Sequence, residues 1–125
     1  MKKFVKVEIY NVTVVFLIEA TKLEFEMFYH DNVERISDDE YKRMFKDTFY
    51  NDKCGGYTTS LDCGDFVCCI KDASKKDFVA HEILHTANRI LLSRCVTPDF
   101  DNDEPQAYLV GFLTRVFYET IENNK

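Results

Sequence analysis

Apolar and polar positions along the chain follow two periods, one of two residues and one of three to four. From Phe4 to Tyr10 they alternate, with Val5, Val7 and Ile9 on one face and Lys6 and Glu8 on the other, which predicts a half-buried strand. Val12 to Ile18, "VTVVFLI", is almost continuously apolar and β-branched or aromatic, the pattern of a central strand. "KLEFEMFYH" alternates again, placing Leu23, Phe25, Met27 and Tyr29 on one side. The first thirty residues therefore predict an antiparallel meander.

The period then lengthens. Ser37 followed by Glu40 is a capping-box signal, with Ser37 capping and Glu40 reaching back. The helix behind it carries Tyr41, Met44, Phe45 and Phe49 at helical spacing and ends near Asn51. Gly55, Gly56 and Gly64 mark turns around a short strand. Phe66 to Ile70, "FVCCI", is a further strand. A second helix starts near Lys75, with Ser74 or Asp77 at its N-terminus, and runs to about Arg94. A polar connection containing Pro98 follows. Pro105 suits the first turn of a third helix reaching about Glu122, with Leu109, Val110, Phe112, Leu113 and Val116 among its apolar positions. Strands, helix, strands, helix, helix predicts an α+β fold, a single domain over residues 1–125.

Composition narrows the class. The chain of 125 residues is 46% hydrophobic, enough for one core and too short for a second lobe. Its formal net charge of −6 argues against nucleic-acid and anionic-membrane partners, which need basic surfaces. The five cysteines (Cys54, Cys63, Cys68, Cys69, Cys95) are odd in number and include no Cys-x-x-Cys. They read as reduced, mostly buried thiols of a cytosolic protein rather than a disulfide framework. Zinc ligation by Cys54, Cys63 and Cys68 matches no familiar ligand spacing. The N-terminal lysines precede apolar residues, but Lys6 and Glu8 interrupt the run and "VTVVFLI" is too short to span a bilayer. The expectation is a cytoplasmic protein.

Residues 79–86 read "VAHEILHT". At 100° per residue, Val79, Ala80, Ile83, Leu84, Ala87, Ile90 and Leu91 make one wide apolar face. His81 and His85 lie about 40° apart on a stripe beside it, one turn from each other, so two imidazoles converge as a helical metal site requires. Glu82 is offset by roughly 60–100°, placed to reach a metal-bound water without ligating the ion. This predicts Zn²⁺ on His81 and His85 with Glu82 as catalytic base. The plain reading of the same residues is a solvated stripe in which Glu82 pairs with Lys75, Lys76 or Arg89.

A catalytic zinc usually takes three protein ligands and a water. No histidine follows His85, and His30 reads as a strand-end or loop residue. The third ligand is then expected among Asp99, Asp101, Asp103, Glu104, Glu119 and Glu122. Eighteen residues separate His85 from Glu104, which opens "EPQAY". With this gap the sequence resembles the gluzincins, zinc peptidases with HExxH and a later glutamate, over about residues 78–112. It also resembles small phage-encoded HExxH proteins through "EPQAYLVGFLT". The resemblance implies a minimal zincin-like domain with N-terminal antiparallel strands, one helix, an edge strand, an active-site helix and a C-terminal helix. It implies Glu104 as third ligand, against its plain reading as a helix-capping acid before Pro105. Glu119 is the alternative if the last two helices run antiparallel. Asn88 and Leu91 depart from the pattern with a third histidine, and Tyr108 or Tyr118 is left to stabilise an oxyanion.

The function so implied is metal-assisted hydrolysis of peptide bonds in a peptide or protein substrate, an endopeptidase more than an exopeptidase. The strand Phe66, Val67, Cys68, Cys69, Ile70 would be the edge that pairs with the substrate. The alternative is a zinc-binding, non-catalytic structural or regulatory phage protein, in the host cytoplasm or the virion, acting through a viral or host protein partner. A metal-free adaptor is a further alternative. A deaminase is disfavoured, since no Pro-Cys-x-x-Cys partner exists.

Overall fold

The apolar run of residues 12–18 becomes the strand that both cores share. A computed structural model describes residues 1–125 as an α+β fold, one four-stranded sheet with four helices. Strand β1 (Lys2–Val7) pairs antiparallel with β2 (Val12–Ile18), from Lys2↔Leu17 to Val7↔Val12. A 3-10 turn at Glu8–Tyr10 and a left-handed Asn11 close this hairpin, so the predicted strand stops at Val7 and leaves Ile9 exposed. Two further strands, β3 (Gly56–Ser60) and β4 (Phe66–Ile70), pair antiparallel with each other. β4 also pairs parallel with β2, giving the order β1-β2-β4-β3.

Helices cover both faces, which explains why β2 and β4 read as continuous apolar runs rather than alternating ones. On one face Val14, Phe16, Ile18, Phe66, Cys68 and Ile70 pack with α3 (Lys76–Ser93) and α4 (Glu104–Asn123). Phe16 meets Phe117 edge to face at 5.6 Å. On the other face Val15, Leu17, Val67 and Cys69 pack with α1 (Lys22–Asp31) and α2 (Asp38–Phe49).

Helix α1 replaces the predicted third strand. Thr21 accepts from the Glu24 backbone N–H, and Glu24 returns a carboxylate oxygen to the Thr21 N–H, a full capping box. Phe25 and Phe28, three residues apart, are buried, and Tyr29 is half-buried and stacks on Tyr41, while Leu23 and Met27 stay exposed. Phe25 packs against Tyr41, Phe45 and Phe49 of α2. The helix thus has two aromatic anchors and a cap, which outweigh the period-two alternation.

At α2 the predicted box is half formed. Ser37 accepts from the Glu40 N–H, but the Glu40 carboxylate reaches away to β3. There it accepts from the Tyr57 phenol at 3.1 Å and the Thr59 hydroxyl at 2.5 Å. Burial, then the Glu40 charge, push the Tyr57 phenol up to about 12. Glu40 therefore fastens α2 to one face of β3, and α3 packs on the other. No helix is long and apolar enough to cross a membrane.

Candidate functional site

The buried stripe of α3 runs Val79, Glu82, Ile83, Thr86, Ala87, Ile90, Leu91, in steps of three and four. It is rotated from the stripe expected of the sequence. Ala80 and Leu84 face solvent, and Glu82, only 6% exposed, lies inside. The reason is on β3. The Thr58 hydroxyl donates to Glu82 Oε2 at 2.7 Å, which lets the carboxylate tolerate its place against the sheet. The Thr86 hydroxyl donates to the Glu82 carbonyl at 2.9 Å. Gly56 makes the room: a Cβ there would lie 3.0 Å from Glu82 Cγ and 2.0 Å from the Cys69 carbonyl oxygen. Beneath this group lies Cys68, whose thiol burial pushes up to about 12.

His81 and His85 are exposed, one turn apart, with their Nε2 atoms 3.0 Å from each other and their rings at 78°. One nitrogen donating to the other accounts for this approach. The same approach fits two positions of a metal site. An ion about 2.0–2.1 Å from each nitrogen in tetrahedral geometry spaces them by about 3.3 Å, a few tenths from what is found. Two shallow hollows flank the Glu82 carboxylate. One, of about 220 Å³, is lined by Gly56, Thr58, Glu82, His85 and Arg89. The other, of about 140 Å³, is lined by Cys54, Phe78, His81 and Glu82.

The rest of the expected constellation does not gather here. No third His, Cys, Asp or Glu joins the two histidines in a metal-binding group. Glu104 opens α4 in the solvent, and the polar side chain near that end that reaches α3 is Gln106, whose amide donates to Asn88 at 2.6 Å. Glu119 pairs with Arg115 at 4.0 Å on the exposed side of α4. It lies thirteen residues, about 20 Å of helix, beyond Gln106. Tyr108 is half exposed and stacks on Phe112 of its own helix, and Tyr118 packs on Phe117. Phe66, Val67, Cys68, Cys69 and Ile70 form β4, buried throughout and paired on both sides, so they have no free edge for a substrate. The edge beside α3 is β3.

Compared with known protein families, characterised proteins and solved structures, the chain matches none. The resemblance to gluzincins and to small phage-encoded HExxH proteins therefore does not stand. No family supports it, and the third ligand it requires is not brought to His81 and His85.

Thr58 and Gly56 are site residues that the sequence does not signal. They sit twenty-four and twenty-six positions before Glu82, and only the sheet brings them to it.

Proposed function

We propose that α3 presents a two-histidine site for a divalent metal, zinc by its ligand chemistry, beside a carboxylate base, and that the protein hydrolyses peptide bonds there. The observation that carries this reading is the 3.0 Å convergence of His81 and His85 Nε2 next to Glu82. A zinc ion so bound supplies a polarised, more acidic water. The chain's own residues supply the rest. Thr58 holds Glu82 Oε2, which leaves Oε1 to take a proton from the attacking water and pass it to the leaving nitrogen. The substrate lies along β3. Lys71 N–H bonds to Gly55 O and Leu61 N–H to Asp65 O, so antiparallel alternation turns the N–H and C=O of Gly56, Thr58 and Ser60 outward. An extended peptide added to that edge passes the hollow holding Glu82 and His85.

A second reading is a metal-binding, non-catalytic protein whose remaining ligands come from a partner. Its support is that the chain offers two ligands where a catalytic zinc usually takes three. Zinc titration by calorimetry, paired with digestion of a peptide library, separates the two. One zinc per chain, lost in His81→Ala and His85→Ala, with cleavage lost in Glu82→Gln, is the expected result. Zinc binding without cleavage favours the second reading, and no zinc binding refutes both.

A further inference from the structure

The sheet has two outer strands, β3 beside the histidines and β1 at the far side. No strand pairs with the outer edge of β1. Its ladder with β2 fixes which backbone groups that edge offers. Ile18 N–H donates to Met1 O at 2.8 Å, so Met1 and Ile18 form a hydrogen-bonded pair. Antiparallel alternation then turns Lys3, Val5 and Val7 toward β2, and turns the N–H and C=O of Lys2, Phe4 and Lys6 to the open side.

The side chains of those same three residues share one face of the sheet, since they pair with Leu17, Val15 and Thr13. Helices α1 and α2 cover Val15 and Leu17 on that face, and β1 lies outside their cover. Lys2, Phe4 and Lys6 are all exposed, Phe4 at 59%. The edge thus displays a row of lysine, phenylalanine, lysine. Lys2 stands over the Phe4 ring at 5.5 Å, and Lys6 donates to the Asn11 amide oxygen at 2.7 Å. Neither lysine pairs with a carboxylate, although the chain carries 22 acidic residues against 16 Lys and Arg.

Lysines on an edge strand oppose its pairing with a copy of itself. In the antiparallel register of fullest overlap, centred on Phe4, each Lys2 faces the Lys6 of the other copy, and like charges directly opposite are unfavourable. A strand with acids at those two places gains where a copy of this chain loses.

We propose that the β1 edge binds an extended acidic segment of a partner protein, of pattern acid-x-apolar-x-acid, which adds as a fifth strand. Its acids lie across from Lys2 and Lys6, and its apolar residue lies across from Phe4. The outward backbone groups of β1 hold the segment, and the side-chain row selects it. Nucleic acid or anionic lipid meets only Lys2 and Lys6 on this face of β1, on a chain of net charge −6, and neither uses the open backbone groups. The site is independent of the histidine pair and lies at the opposite edge of the sheet.

The test is a titration of the ¹⁵N-labelled chain, without metal, with the capped heptapeptide Thr-Glu-Thr-Val-Thr-Glu-Thr, followed by NMR. At saturating peptide the amides of Lys2, Phe4 and Lys6 are expected to shift and to exchange with solvent roughly tenfold more slowly. Replacing both peptide glutamates by lysine should weaken binding roughly tenfold, since two attractive cross-strand pairs become repulsive. Lys2→Glu combined with Lys6→Glu, both at exposed positions, should reverse that preference. Vesicles of phosphatidylserine and phosphatidylcholine, and a single-stranded oligothymidine, are the comparison ligands and should leave the exchange of those amides unchanged. The proposal is overturned if the acidic peptide leaves the three amides unmoved, if the lysine peptide binds as well, if the double variant keeps the original preference, or if vesicles or oligothymidine slow the same amides.

Discussion

Replacing Thr58 by Val removes one hydroxyl and keeps the shape of β3. The lost contact is the 2.7 Å bond to Glu82 Oε2, together with a weaker 3.4 Å approach to the Glu82 carbonyl. A hydrogen bond to a charged group contributes about 1.5–3 kcal/mol, and Glu82, at 6% exposure, has little water to replace it. Valine's better fit to a strand returns a few tenths of a kcal/mol. The expected net loss is about 2 kcal/mol. For a chain of 125 residues, unfolding entropy of about 2.1 cal/mol/K per residue turns that loss into a fall in Tm of about 8 °C. Urea unfolding at pH 7, followed by circular dichroism, measures it. Repeating the substitution in a Glu82→Leu background completes a double-mutant cycle, in which the penalty should shrink by at least about 1 kcal/mol. A Thr58→Val protein within about 0.5 kcal/mol of wild type, or a penalty of the same size in both backgrounds, would show that the carboxylate is not held as described.

Gly56→Ala drives a Cβ to 2.0 Å from the Cys69 carbonyl oxygen, a backbone atom that cannot swing aside, and should cost about 3 kcal/mol in urea unfolding. Gly111→Ala, in open space on α4, should instead stabilise by up to about 1 kcal/mol, and equal effects at the two glycines would refute this placement of β3. In the native protein at pH 8, a thiol reagent should label the exposed Cys63 and Cys95 promptly. Cys68 and Cys69, buried with thiols pushed upward, should label only on unfolding, so their prompt labelling would contradict the packed sheet. The Thr21 N–H and the N-terminal ammonium hold the Glu24 carboxyl below its ordinary 4.5. The stability Glu24 contributes is therefore full above pH 4.5 and lost as pH falls through the lowered folded value. The Tm difference between wild type and Glu24→Gln should shrink as pH drops from 5 toward 3, and a constant difference would refute the assignment.

What the sequence makes legible is what depends on neighbours along the chain. The central strand, the long helices and the α+β class all follow from local period. The α1 segment misleads because Leu23, Phe25, Met27 and Tyr29 alternate. The competing signal, Thr21 followed by Glu24, is also local and decides the matter once Phe25 and Phe28 find α2. Glu40 misleads in the opposite way, since the box geometry is available but Tyr57 and Thr59 offer its carboxylate better partners. The position of β4 is not a local property. "FVCCI" reads as a strand, but whether it is an edge depends on β2, fifty-two residues earlier in register. At the site, the convergence of His81 and His85 follows from helical spacing alone. The burial of Glu82 and the lack of a third ligand depend on β3 and α4, which no spacing along α3 reports.

The two cores close at different points along the chain. Every residue packed with α1 and α2 lies at or before Cys69, whereas the opposite face needs Leu109, Leu113 and Phe117 near the far end. During synthesis from the N-terminus, one layer can therefore settle while the other side of the same sheet is still bare. Phe16, Ile18, Phe66 and Ile70 then form a sticky, uncovered surface until the last helix arrives. Truncation within α4 would leave a nascent chain in that half-dressed state, a target for chaperones or for self-association rather than a smaller working protein.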